Sequence, residues 1–550
     1  MTPTRPDLRA QGGFSMFLVI MAMFLTSMFI AAAFAAANGD LPVSGDSKNR
    51  KSTYAAAEAG LNFYLNHLQQ DNDYWTLCDQ VPAPNATEVN PVNQQWDGTD
   101  PNADTRRWRS IPGSTNQYTI EVLHNTGYTK CETDPNKQAS VIDLATGTFK
   151  IRVTGRPAVG STQRRAIVAA FRRKGFLNFI YFTDFETIDP QALSTTTARS
   201  TAQTNCGDKY RAARAGKGCS EIQFVTGDEI KGPLHTNDDS LLTCGTPVFG
   251  RTGRVDPIEV SGPSPGFVRN TGCSGDPTVA VGKITTAKQM SMPTSNDQLA
   301  DVAAAGGTVY SGKTVVRLKT GALMDVTNYN AAGVATTQTN VPWPVNGVLY
   351  VKNNGACTGE YPTAAKYTEP ATCGNVYVSG TYSQSLTIAA ANDVIVRPTN
   401  GGKLSNKSND GSIIRQSGTD ATLGLIANNF VRVAHPVSRD TDGSCNGNVD
   451  TTDDPVVMNV QIDAAILSLQ HSFIVDNYDC GRLDELTVNG AIAQKYRGPV
   501  GTGNGTNPSS GFLKNYTYDD RFRYRSPPYF MNPVDASWDI IRSHEQVPAR

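Results

Sequence analysis

Asp440, Asp442 and Asp450 are the residues of this chain best suited to hold an ion. With Gly443, Asn446, Asn448, Asp453 and Asp454 they crowd oxygen donors into one turn-rich stretch. Hard Ca2+ takes about 6–8 such oxygens, and Asp440-x-Asp442-Gly443 is like a fragment of a calcium loop. The stretch lacks the full order of such a loop and its closing bidentate Glu, so it reads as a solvated loop, with calcium as the alternative. No other cofactor is expected.

His235, with Asp238 and Asp239 nearby, could supply a base or a metal ligand. Gly232-Pro233 and Thr236-Asn237 are turn formers, however, and the reading preferred is a structural turn. Glycan cleavage needs two carboxyls at a set separation. Asp463, Asp476, Asp479, Asp484, Glu485, Asp519 and Asp520 are available, but their linear spacing forces no two of them together. Gly498 to Gly511 is rich in glycine yet lacks the Gly-Lys-Ser/Thr ending of a phosphate loop. The chain is therefore expected not to be an enzyme.

Ten cysteines remain: Cys78, Cys131, Cys206, Cys219, Cys244, Cys273, Cys357, Cys373, Cys445 and Cys480. An even set without zinc-site spacing reads as disulfides formed outside the cytoplasm. Connectivity is not deducible, and pairing of sequence neighbours is the simplest arrangement. The 49 basic and 50 acidic side chains nearly cancel, which argues against a nucleic-acid partner.

The elements that would position these groups follow from pattern. At 550 residues the chain exceeds one ordinary core. In Thr148 to Thr154, Phe149, Ile151 and Val153 share one face and Lys150 and Arg152 the other, the alternation of a half-buried strand. Tyr118 to Leu123 and Arg165 to Phe171 read as companion strands. Beyond Phe176 come short apolar runs separated by Gly, Asn and Asp, among them Val376 to Val378, Leu386 to Ile388, Val394 to Val396, Leu423 to Ile426 and Phe473 to Val475. Runs this short cannot each cover an apolar face alone, so a parallel β-solenoid is expected, with a β-sandwich as the alternative.

At the other end, Phe14 to Ala37 carries no charge. As a helix of about 24 residues it would reach roughly 36 Å, enough for a hydrocarbon core of about 30 Å. Arg5 and Arg9 precede it, which would keep the leader cytoplasmic and place the rest outside. Tyr54, Leu61, Leu65 and Leu68 then recur at helical spacing and would rest one stripe on a sheet. The ranges expected are 1–13 for a leader, 14–39 for a transmembrane or filament-core helix, 40–174 for an α+β head and 175–550 for a disulfide-stapled β domain. The whole is thus mainly β with an N-terminal transmembrane helix.

Gln11-Gly12-Gly13-Phe14 resembles the class III leader of type IV pilins, in which a prepilin peptidase cuts between residues matching Gly13 and Phe14. Ala56-Ala57-Glu58-Ala59-Gly60-Leu61 is similar to the start of the soluble helix in PilX-type minor pilins. Shaft-building pilins carry Glu at the fifth mature position, where this chain has Leu18, and the departure favours a minor or tip subunit. Gly227-Asp228-Glu229-Ile230-Lys231-Gly232-Pro233-Leu234-His235-Thr236-Asn237 resembles an element found after pilin-like N-termini in uncharacterised bacterial surface proteins. Leu423 to Asn429, Gly490 to Gly498 and Tyr516 to Phe530 look like later elements of that domain. The resemblance implies a single-pass membrane protein at the cell surface or in a pilus. Its partners would be other pilin subunits, the pilus assembly machinery, the membrane and a surface or glycan ligand. An anchored β-helix that binds or cleaves glycans is the alternative.

Overall fold

The computed structural model describes residues 14–71, 73–78, 92–93, 106–125, 128, 132, 140–143, 147–193, 195–357, 370–397, 411–435, 437, 444–445, 459–504, 507–534 and 538–549. They belong to two compact units. The first takes in Met1–Thr133, Lys150–Ala170 and Arg542–Arg550, the second Asp134–Phe149 and Phe171–Ile541.

Among the described residues the first unit holds helix Phe14–Gln70 and most of a six-stranded sheet. Along the sheet the order is Val92–Asn93, Gln117–Leu123, Thr148–Arg156, Arg165–Arg173 and Trp538–Gln546, with Arg109–Ser110 also paired to Gln117–Leu123. Gln117–Leu123 and Thr148–Arg156 run antiparallel, Ile120 opposite Val153. Thr53, Ala56, Ala57, Leu61, Tyr64 and Leu68 are buried at spacings of three and four, which line up on one helical face. Tyr54 and Leu65 stand half-buried at the rim of that stripe. Contact with the strands is close where glycine permits it. A Cβ on Gly60 would lie 2.6 Å from Tyr118 and Val153, and one on Gly155 would lie 2.2 Å from the Thr53 carbonyl oxygen.

The expected membrane crossing is not found: among the described residues no helix is long and apolar enough to cross a membrane. Helix Phe14–Gln70 does not stop where its apolar run stops. It continues unbroken through Asp40, Asp46, Lys48, Arg50 and Lys51. The apolar residues are the leading part of a longer, mixed rod, and the single-pass anchored localisation read from them falls with the crossing.

Short, mostly parallel strands build the second unit. In one sheet Val348–Lys352, Leu386–Ala390, Leu423–Ala427, Ala465–Ser468 and Arg482–Arg497 lie side by side, so that Ile388, Leu425, Ile466 and Ile492 stack in register. A second sheet pairs Val376–Tyr382 with Val394–Val396, and Val394–Val396 with Val431–Val433, which pairs in turn with Phe473–Val475. All of the residues in these three-residue strands are buried, as parallel strands covered on both faces require. Val460–Ile462 and Ala465–Ser468 are two separate strands, with a bend at Asp463-Ala464 between them.

A closed solenoid is not what these sheets make. Coils of a solenoid follow one another in chain order. Here Tyr181–Ile188, from the start of the unit, lies between Leu234–Thr236 and Arg482–Arg497, from its end. Asn507–Tyr518 likewise pairs with both Arg482–Arg497 and Glu229–Lys231. Thr314–Lys319, Leu323–Tyr329 and Ala335–Pro342 add an antiparallel meander. The fold is mainly β with several parallel sheets and few helices.

Candidate functional site

The leading part of helix Phe14–Gln70 carries the least expected surface of the first unit. Gly13 lies outside the described residues, and Phe14 is the first residue of the helix. From Met16 to Ile30 the large apolar side chains are exposed at every angle round the axis, from 47 % at Leu25 to 73 % at Phe29. Leu18, where shaft-building pilins have Glu, is 58 % exposed. The two hydroxyls in this segment turn inward. Thr26 donates to the Ala22 carbonyl at 2.8 Å and Ser27 to that of Phe24 at 2.9 Å, so neither offers a free polar group to a partner.

Beside the buried part of the same helix is an open cleft of about 450 Å³ lined by Lys51, Tyr54, Ala55, Glu58, Arg165 and Glu545. Arg165 and Glu545 form an ion pair that holds the Glu545 carboxyl below its ordinary range. Nothing in the spacing of the sequence signals this partnership, because the two residues stand 380 positions apart.

In the second unit His235 is buried and bonded on both nitrogens, Nδ1 to Glu259 at 3.0 Å and Nε2 to Asn237 at 3.1 Å. Phe182 stacks on its ring at 5.5 Å. Asp238 does not serve it. That carboxylate accepts from Arg214 at 2.6 Å and from the Glu186 and Arg211 amides. Asp239 accepts from the Ala212 amide at 2.8 Å. Glu259, the partner that sequence reading missed, is 24 positions away and also takes Lys174 at 3.1 Å. Burial pushes the Glu259 carboxyl up, but the His235 hydrogen bond and the charges of Lys174 and His235 outweigh it and hold it below the usual value.

Asp463 accepts from the Arg415 amide, Gln461 and Asn489 at 2.9 Å each. Asp476 meets Arg432 at 3.0 Å, Asp520 meets Arg251 at 2.9 Å, and Asp519 pairs with Arg521. Glu485 accepts from Thr487 and Asn515, and Asp484 from Asn459. Each of these six carboxylates is thus tied to a cation or an amide. Gly262-Pro263-Ser264-Pro265-Gly266 has the spacing of a nucleophile elbow, yet it joins strand Ile258–Val260 to strand Phe267–Arg269. The elbow requires a helix to follow its serine.

Asp440, Asp442 and Asp450 lie outside the described residues. Among the described residues one group has metal-ligand proximity, Cys445, Asp479 and Cys480. Its two cysteines are joined to each other and cannot serve as thiolate ligands. Three further disulfides join Cys206 to Cys219, Cys244 to Cys273 and Cys357 to Cys373. Cys131 and the side chain of Cys78 lie outside the described residues. Four disulfides suit a protein of an oxidising, extracellular setting.

No known protein family and no curated protein matches the chain. Among solved structures it is similar to the competence-associated pilin ComZ from Thermus thermophilus, at a TM-score of 0.29 and 10 % identity over 90 % of this chain and 97 % of that one. A likeness of that size carries no argument.

Proposed function

We propose that this chain is a non-enzymatic, pilin-like subunit whose apolar helical segment is buried among the corresponding helices of neighbouring subunits. The exposed surface from Met16 to Ile30 carries the reading. A helix that is apolar on all sides is covered in its working state. At about 25 cal/mol per Å² of apolar area, leaving such a rod in water is far more costly than stacking it. Small residues favour close helix–helix approach, and Ala22, Ala31, Ala32, Ala33, Ala35 and Ala36 fall in or beside this segment.

Leader removal between Gly13 and Phe14 would free the rod's N-terminus for docking. Leu18 supports a minor or tip role, because a subunit with no neighbour ahead has no amine to pair with a carboxylate there, and a buried unpaired carboxylate is costly. The partners are other pilin-type subunits and the machinery that assembles them. The second unit is the module the filament would carry for assembly or adhesion.

Determining the N-terminus of the exported protein, together with disulfide trapping between copies carrying Phe24→Cys, tests the reading. A chain that begins at Phe14 and cross-links through position 24 supports it. Recovery of a chain that begins after Ala37 overturns it.

A further inference from the structure

Within the second unit a partly enclosed cavity of about 30 Å³ adjoins a half-open cleft of about 140 Å³, and Ile222, Gly501 and Lys514 border both. Each water needs about 10–15 Å³ of such space, so the inner cavity holds roughly two.

Two buried side chains line the inner cavity with unused donors. Gln494 is 3 % exposed, and its Oε1 accepts the Phe473 amide at 2.9 Å and the Gly498 amide at 3.0 Å. Those two donors fix which end of the amide is oxygen, and they leave Nε2 without a partner among the described residues. Tyr516 is 4 % exposed, and its hydroxyl likewise has no partner among them. Burial raises the Tyr516 pKa far above its ordinary value, so the group stays a neutral phenol and keeps its proton to donate.

The charges around the cavity are already matched. Arg497 meets Glu186 at 3.1 Å and Lys514 meets Asp228 at 3.2 Å. A charged ligand would be left with no counter-ion, which selects a neutral one. Phe224 and Phe473, each 1 % exposed, supply an apolar wall. The fitting group is therefore small and neutral, with one acceptor for two donors and a methyl-sized apolar end.

We propose that the inner cavity is a subsite for the acetamido group of an N-acetylated amino sugar, with the sugar ring in the outer cleft. The acetamido carbonyl accepts from Tyr516 Oη and Gln494 Nε2 while its methyl rests on the phenylalanines. Water can satisfy the same donors, but it makes no use of the apolar wall.

The site does not depend on the assembly reading, and the two can fail separately. The test is ligand-observed NMR on the full chain in mild detergent, with N-acetylglucosamine and glucose as the paired probes. Expected are saturable binding of N-acetylglucosamine with the acetyl methyl as the most strongly saturated group, and affinity for glucose lower by at least about tenfold. Tyr516→Phe, which removes only the hydroxyl, should weaken N-acetylglucosamine by about tenfold with an unchanged melting temperature. Gln494→Glu keeps the acceptor for the Phe473 and Gly498 amides and removes the donor, so it should lose binding as well. Equal binding of the two sugars, no binding of either, or full affinity in a folded Tyr516→Phe variant overturns the proposal.

Discussion

The two ends of helix Phe14–Gln70 solve opposite problems with the same backbone. From Thr53 to Leu68 apolar residues recur at helical spacing, and Ala56, Ala57, Tyr64 and Leu68 are fully buried against strands of their own unit. From Met16 to Ile30 nearly every residue is apolar, and every large one is exposed. A striped helix completes its burial inside one chain. An unstriped one presents more apolar faces than a single sheet can cover, and under the proposed assembly that cover comes from neighbouring subunits.

Breaking the striped end should have the largest effect. Tyr64→Ala removes a fully buried ring that packs 5.2 Å from Tyr74, and it should cost about 3–5 kcal/mol in denaturant unfolding of the first unit. Gly155→Ala should cost about 1–3 kcal/mol, because its Cβ meets the backbone of Thr53 and Ala57 and backbone yields little.

Acid should separate the rod from the second unit, since Phe14 to Ala37 contains no ionisable side chain. The Glu259 carboxyl is held below its unfolded value of 4.5, so the folded state binds its proton less readily than the unfolded one. Its contribution to stability is present above that pH and is lost as pH falls through the folded value. The denaturation midpoint of the second unit should fall with acidification below this value, and Glu259→Gln should flatten that part of the profile. The smallest expected effect on folding is at the unstriped end. Phe24→Ala should leave unfolding within about 0.5 kcal/mol of wild type while weakening association of copies in sedimentation. A large loss of monomer stability there would show that the rod is already packed within its own chain.

Much of the β structure was legible. Strands Gln117–Leu123, Thr148–Arg156, Leu386–Ala390 and Leu423–Ala427 stand where alternation or short apolar runs place them. Of the helical stripe, Leu61 and Leu68 are buried as read, while Tyr54 and Leu65 stand at its rim, because Ala56, Ala57 and Gly60 face the sheet and small residues give a weak hydrophobic signal. The solenoid expectation failed at Tyr181–Ile188 and Asn507–Tyr518, each of which has one partner strand hundreds of residues away that leaves no local trace. At His235 the neighbouring carboxylates in sequence were the wrong ones. Register between parallel strands delivered Glu259 instead, opposite His235 in strand Ile258–Val260.

By itself the chain determined which segments are helical or extended, which are apolar, and how many thiols there are to oxidise. Those properties depend on neighbours within a turn or a pleat, and the order of side chains is enough to set them. Tertiary structure alone decided that Gln494 and Tyr516 share a cavity, that Arg165 meets Glu545, and that the coils leave chain order. These depend on which distant strands pair, and pairing is settled by the burial of all the strands together rather than by the preference of any one.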